Sequence, residues 1–452
     1  MHAIHARAST SAHKRSAHEA GLADRPAKRP APCNPASGSN AMPLGSDSST
    51  VSEPQHLSNA SKRTLRDRER QKQRKQEKKD ATFSASGQAP RPKHAKKLLT
   101  SNVARPLKTA VDFDAFPVAS SGYEALNKGS TVSSASRTLK DALASGLEYV
   151  DWDGIGPLLL TDPVSDAICL AGAGRNASAE ATESQKAAGL AILNAGAAAN
   201  FPAKKLVHKR GKDFGALNTG ILWGQGPTEP YNLNNGRYNQ LLEDLKANPD
   251  IIRLATFQSS ALNMFFPQLY KRYHCLRADV ERHMKDLKWN FQRSVFSAAA
   301  FNFGPRTVTT PHRDSMNLPA GFCAIHALGE YDADLGGHLI VEELGVVIRF
   351  PPGSCILIPS AILTHSNTAI QEDEWRVSFT QFSSGALFRY ADNGYRTEQE
   401  FKEYDEVSYN FMMGRKATRW ERDLENWSTF EDVLSAAGLE VEEDTNEENG
   451  KS

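Results

Sequence analysis

His312, Asp314 and His365 are the residues best able to do chemistry in this 452-residue chain. They stand in the ordered series His312-Arg313-Asp314, then His365, then Arg376-Val377-Ser378. On a strand or at its mouth, residues two apart point to the same side, so His312 and Asp314 can face one metal. His365 follows the strand-like run CILIPS and is placed to add a third ligand from another strand. Two imidazoles and one carboxylate on one face leave three open positions on an octahedral metal, which suits non-haem Fe(II). Arg376 lies eleven residues beyond His365. Its planar guanidinium suits bidentate recognition of a carboxylate. Ser378 shares its face and adds a hydroxyl. Together they form a clamp for the far carboxylate of 2-oxoglutarate, whose 2-oxo acid end chelates the iron.

Each residue also has a plainer reading. His312 alone would be an exposed loop histidine, and only Asp314 and His365 in order change that. Arg376 follows Glu372, Asp373 and Glu374 and can simply pair with one of them. Ser378 can face solvent. Asn302 and Asn317 flank the metal motif and can touch cosubstrate or substrate, or can serve as strand-end and loop residues. His326 and His338 alternate with apolar residues, as barrel histidines with satisfied hydrogen bonds do. Cys323 and Cys355 read as small core residues. Phe322, Tyr331 and Trp375 can stack on an extruded base or belong to core and rim.

The elements that must position these residues are legible from about residue 204. Arg237–Leu245 and Ala261–Leu287 read as helices; the second repeats apolar residues at spacings of three and four. From Val295 to Phe388, short runs (SVFSAAAFNF, TVTT, FCAIHAL, HLIVEEL, VVIRF, CILIPS, RVSFTQF) alternate with turn residues, as strands do. Strands following helices predict a mixed α+β chain with a double-stranded β-helix, or jelly-roll, core braced by helices. The expected domains are a disordered basic tail (1–100), a poorly defined extension with one helix near Ser184–Ala195 (101–203), and the dioxygenase-like core with its preceding helices (204–395). Helices (396–437) and a disordered acidic end (438–452) complete it. AGAGRNAS in the extension lacks the context of a dinucleotide site.

Charge is unevenly spread. Lys+Arg number 54 and Asp+Glu 53, yet residues 1–100 carry +12, residues 101–390 carry −1 and residues 391–452 carry −10. Lys62 to Lys79 hold ten basic residues in eighteen, with no leucine heptad after them, so a basic zipper is excluded. The run is a nuclear-import signal, a phosphate-binding arm, or a solvated polar tail. A second basic cluster, LVHKRGKDFGALNTG, holds phosphates or is a solvated loop. No apolar stretch is long enough to span a membrane, and the first residues lack the apolar core of a secretory signal. Five scattered cysteines without a C-x-x-C pair fit a reducing compartment, nuclear or otherwise cytoplasmic.

The runs FNFGPRTVTTPHRDSMN, ALGEYDADLGGHLIVEELGVVIRFPPGSCILIPSAILTHSN and RVSFTQF carry a resemblance. Over roughly residues 205–392 the chain resembles the Fe(II)/2-oxoglutarate-dependent dioxygenases, and within them the fungal branch similar to the TET/JBP nucleic-acid base oxygenases. The glycines of GGHLIVEELGVVIRFPPGS and its P-P-G turn are more specific than the metal motif. The resemblance implies hydroxylation by O2 with conversion of 2-oxoglutarate to succinate. His312, Asp314 and His365 match the iron ligands, and Arg376 matches the cosubstrate arginine. The expected function is oxidation of 5-methylcytosine or thymine in DNA. The rivals are the same chemistry on a protein side chain or metabolite, and a silent β-barrel interaction module.

Overall fold

Alternation along one strand decides what reaches the site. In the computed structural model that strand is Trp375–Phe382, whose Val377 and Phe379 are fully buried against helices while Arg376 and Ser378 face the opposite way. The structure describes residues 59–86, 106–109, 116–126 and 137–437. Two units divide the chain, Met1–Arg63 and Thr64–Ser452, and of the first only residues 59–63 are described.

The described strands are β1 (Leu107–Lys108), β2 (Glu148–Val150), β3 (Leu158–Thr161), β4 (Ile168–Gly174), β5 (Gly215–Leu222), β6 (Tyr231–Asn232) and β7 (Ala298–Phe303). They continue with β8 (Cys323–Glu330), β9 (Leu339–Val341), β10 (Val346–Ile348), β11 (Cys355–Ile358), β12 (His365–Asn367) and β13 (Trp375–Phe382). Nine strands form a sheet in the order β1-β3-β4-β11-β8-β13-β7-β5-β6, and four form a second in the order β12-β9-β10-β2. From β8 to β13 the chain passes back and forth between them. The helices are α1 (Asn59–Ser86), α2 (Leu139–Ala144), α3 (Ala179–Ala199), α4 (Asn239–Ala247), α5 (Pro249–Phe265) and α6 (Pro267–His283), then α7 (Gly385–Asp392), α8 (Glu398–Tyr404), α9 (Glu406–Gly414), α10 (Arg419–Leu424) and α11 (Phe430–Ala437).

Helices α3, α4 and α5 cover the outer face of the large sheet, where Phe301, Phe303, Leu328, Val377 and Phe379 are buried against Ile192, Leu242 and Leu254. Burying each such aromatic ring stabilises the packing by roughly 1.5–3 kcal/mol. The outer face of the small sheet, Ile340 and Val347, packs on Ala142 of α2. One polar group penetrates the helix side. His326 Nδ1 meets Gln258 Nε2 at 2.9 Å, and Gln258 Oε1 accepts from Gln381 Nε2 at 2.8 Å. His326 is therefore a hydrogen-bonded core histidine, as expected, and burial pushes its pKa down to about 3.

Several expectations are corrected. The described residues of 101–203 are no ill-defined extension: β1, β3 and β4 join the large sheet and β2 the small one. AGAG belongs to β4, buried at every position. A Cβ at Gly172 would lie 2.8 Å from the Trp152 ring, so only glycine lets that ring close over the sheet. The predicted helix at 184–195 runs from Ala179 to Ala199. The helix expected over 261–287 is two, because Pro267 has no N–H and interrupts the ladder. TVTT lies outside every strand and is held by isolated pairings such as Thr307 N–H to Arg376 O.

The disordered basic tail is corrected over 59–86. Arg, Lys, Gln and Glu are good helix formers, and Gln73 donates to Glu77 across one turn. The end of α1 is anchored: Phe83 is buried, edge-on to His274 at 5.6 Å with the Arg277 guanidinium over its ring, and Asp80 pairs with Arg293 at 3.3 Å. The rest of 1–100 and the acidic end beyond 437 lie outside the described residues. No described helix is long and apolar enough to cross a membrane.

Two outcomes follow from this packing. Phe83→Ala should remove about 3 kcal/mol of docking, seen as faster tryptic cleavage within residues 66–79 while the sheets melt almost as before; equal cleavage rates would sink the anchor. His326 has a folded-state pKa below that of an unfolded histidine. Between about pH 6.5 and 3 the unfolded chain therefore binds a proton that the native chain refuses, and stability falls as pH falls, by up to about 1.4 kcal/mol per pH unit from this group. His326→Gln keeps an acceptor for Gln258, so its denaturation midpoint should fall less steeply over that window than the wild-type midpoint does.

Candidate metal centre

The extended segment 305–312 runs between the sheets and brings His312 beside β12. His312 and His365 exchange both backbone hydrogen bonds, N–H to O at 3.1 and 3.0 Å. Each imidazole is then fixed by its own chain: His312 Nδ1 lies 2.8 Å from the Thr310 carbonyl and His365 Nδ1 lies 2.9 Å from the Leu363 carbonyl. A carbonyl can only accept, so each Nδ1 carries the proton and each Nε2 presents a lone pair, the tautomer a metal ligand needs. The rings stand 4.3 Å apart.

Asp314 completes the group, with Oδ1 3.9 Å from His312 Nε2 and Oδ2 4.0 Å from His365 Nε2. One donor atom from each residue lies within 4.8 Å of the others. Asp314 is held by its N–H to the Ser360 carbonyl, and Asn317 N–H donates to its carbonyl in turn. Burial and the neighbouring His365 keep the His312 imidazole well below its usual pKa, so it is neutral at ordinary pH. Burial works to raise the Asp314 carboxyl, but the two imidazoles and Arg210 outweigh it and hold it below the usual range. Two imidazoles and one carboxylate, all aimed at one point, fit a divalent cation.

A cavity of about 300 Å3 opens on His312 and Asp314, lined also by Arg210, Asn218, Trp223, Thr380 and Phe382. Arg376 and Ser378 share the face of β13 that carries Thr380 and Phe382. Arg376 is 1% exposed. It makes no ion pair with Glu372, Asp373 or Glu374 among the described salt bridges, and Glu374 instead accepts from the backbone of Asp332 and Gln371. One arm, Nη1, donates to the Thr307 carbonyl at 3.0 Å, while the buried Nε has no partner. Ser378 Oγ accepts from Asn302 Nδ2 at 2.8 Å, and Asn302 Oδ1 is a second buried polar atom without a partner. Across the sheet from Arg376 stands Gly329, and from Ser378, Ala327. Small residues flank an arginine whose Nε has no partner and whose guanidinium also meets the Tyr331 hydroxyl.

Of the aromatic candidates, Phe322 and Trp375 are packed away from this space, whereas the Tyr331 hydroxyl stands beside the Arg376 guanidinium. Phe322 is stacked on Phe266 with ring centroids 3.9 Å apart. Tyr331 is buried and donates its hydroxyl to the Phe350 carbonyl, and Trp375 packs on the helix side of β13. Phe322 and Trp375 thus take the core-and-rim role that stood beside base stacking, and Tyr331 is a buried neighbour of Arg376. The aromatic walls are Trp223, whose buried Nε1 has no partner, and Phe382. Phe382 shares the parity of Arg376, Arg210 belongs to the basic cluster LVHKRGKDFGALNTG, and Trp223 carries no local signal. His338 bonds Thr368 through Nδ1 and stays outside the ligand group, and Cys323 and Cys355 are buried free thiols.

No family model matches the chain, and no curated protein matches it. Among solved structures, the chain is similar to NgTET1 in complex with 5mC DNA, at 13% identity and a TM-score of 0.34, over 55% of this chain and 88% of that one. It is also similar to an oxidoreductase of the 2OG-Fe(II) oxygenase family from Burkholderia pseudomallei, at 16% identity and a TM-score of 0.25, over 51% and 84%. At these scores neither likeness bears on the assignment of the site, which rests on its geometry.

Proposed function

We propose that the chain is an Fe(II)- and 2-oxoglutarate-dependent dioxygenase of double-stranded β-helix fold that oxidises a methylated pyrimidine, 5-methylcytosine or thymine, in DNA. The observation that carries the iron chemistry is the pair of imidazoles locked through Nδ1 with both Nε2 atoms turned to one carboxylate. The buried Arg376 with its unpartnered Nε supports a dicarboxylate cosubstrate. DNA as substrate is supported by the exposed basic residues of α1 and by Trp223 and Phe382 in the cavity wall, since an enzyme acting on a base must take it out of the stack and hold it between ring faces.

In this reading His312, Asp314 and His365 hold the metal, and Arg376 takes the far carboxylate with Thr307 fixing one of its arms. Asn302 and Ser378 form a polar wall beside it. Bound iron, with 2-oxoglutarate as the two-electron reductant, supplies the oxygen activation that no side chain here can perform. His365 is buried and the sheet behind it is backed by helices, while His312 and Asp314 stand half-buried at the cavity mouth, where substrate would enter. The near-neutral charge of residues 101–390 favours the second reading, the same chemistry on a protein side chain or metabolite. Mass spectrometry of nucleosides from methylated DNA, incubated with protein, Fe(II), ascorbate and 2-oxoglutarate, separates the two. An oxidised base supports the first, and succinate without one supports the second.

Asp314→Ala removes the only anionic ligand and should abolish succinate formation with the melting temperature within a few degrees of wild type; full activity would remove the metal assignment. Arg376→Lys keeps the charge but loses the fork. The KM for 2-oxoglutarate should rise about tenfold or more, since a charge-assisted hydrogen bond is worth roughly 1.5–3 kcal/mol.

A further inference from the structure

Beside the metal cavity lies a groove that the metal and cosubstrate do not use. Its volume is about 710 Å3, and its walls are the turn 208–213 and the outward side of segment 305–310. The turn is tightly built. His208 and Gly211 exchange backbone hydrogen bonds of 2.9 and 3.1 Å, His208 Nε2 lies 3.1 Å from the Phe214 carbonyl, and Thr310 N–H donates to the Arg210 carbonyl. A Cβ on Gly211 would stand 2.7 Å from the Val308 carbonyl, so only glycine lets the turn sit this close to the segment.

Three cations converge there: Lys209 and Lys212 from the turn and Arg306 from the facing wall. All three are exposed, and none makes an ion pair among the described salt bridges. One acid, Asp213, shares the lining, and Pro305, Val308 and Ile370 supply an apolar floor. Lys209 also lines the metal cavity, together with Arg210 and Arg313, so positive charge runs without a break from the groove to the metal ligands.

We infer that this groove holds the sugar–phosphate backbone of the substrate strand next to the base that enters the metal cavity. The inference rests on the nucleic-acid reading of that cavity. Phosphate contacts fix register without reading sequence, and exposed cations over an apolar floor suit alternating phosphate and sugar. An extruded base needs its flanking phosphates held close to the metal. Lys212 and Arg306 would each neutralise one phosphate, while Lys209 spans the junction.

The test uses the full chain loaded with Mn(II) and N-oxalylglycine, which block turnover. Binding of a methylated oligonucleotide is followed by fluorescence anisotropy across a salt series, for wild type and for Lys212→Ser/Arg306→Ser. Two lost contacts should weaken binding and flatten the slope of log K against log salt by about 1.8 on duplex or about 1.4 on single strand. Lys212→Arg should keep the wild-type slope, and DNA-free succinate formation should be unchanged in all variants. If wild type binds the oligonucleotide and the double variant binds it with the same affinity and slope, the groove assignment fails while the metal reading stands. If wild type binds no oligonucleotide, the nucleic-acid reading fails and the inference with it. Equal losses of binding to a poly-glutamate peptide and to the oligonucleotide would give the groove to acidic peptides and overturn phosphate recognition.

Discussion

Everything at the centre depends on the backbone exchange between His312 and His365. It ties a segment outside both sheets to an edge strand of the small sheet, and it does so at the two residues whose side chains matter. The two imidazoles are then fixed by the same device, a ring N–H given to the carbonyl two residues earlier. Asp314, held below the usual carboxylate range, brings a negative charge to a partly buried site. Such a charge is costly unless a cation answers it. Arg210 answers it in part, and a divalent ion would answer it fully.

The large sheet turns this local geometry into a reaction space. Its outer face is closed by aromatic packing against α3, α4 and α5, which fixes the register of β13. A slip of one residue would exchange Arg376 and Ser378 for Val377 and Phe379 and put a guanidinium among helices. The hydrophobic face therefore sets the position of the polar one. The cost of burying Arg376 is borne by Thr307 and by the strand pairs around it.

The ligand set was legible because it is compact in sequence and its order is meaningful, and the strands between 298 and 382, TVTT apart, were legible because each run is short, branched and bounded by turn residues. The strands of 107–174 were not. β3 and β4 are buried at every position, so no alternation marks them, and the glycines of β4 mimic a loop. The helical state of the basic run was hidden because α1 exposes Arg66 to Lys79 on all sides and docks through one aromatic near its end. Arg376 was ambiguous for a different reason. Three acids precede it, and only the structure shows Glu374 turned to backbone amides.

The segment 305–312 is stitched along its length. Pro305 and Thr307 pair with the backbone of Arg376, Thr309 with Asn367, and His312 with His365. One short stretch of chain is thus common to the carboxylate site and the metal site. Any occupant that steadies it from one end lowers the ordering left for an occupant at the other. Thermodynamic linkage would make that effect mutual for the proposed pair: a dicarboxylate would tighten the hold on the ion by the same factor by which the ion would tighten the hold on the dicarboxylate. On the proposed function, the shared segment would thus make loading of the two cooperative.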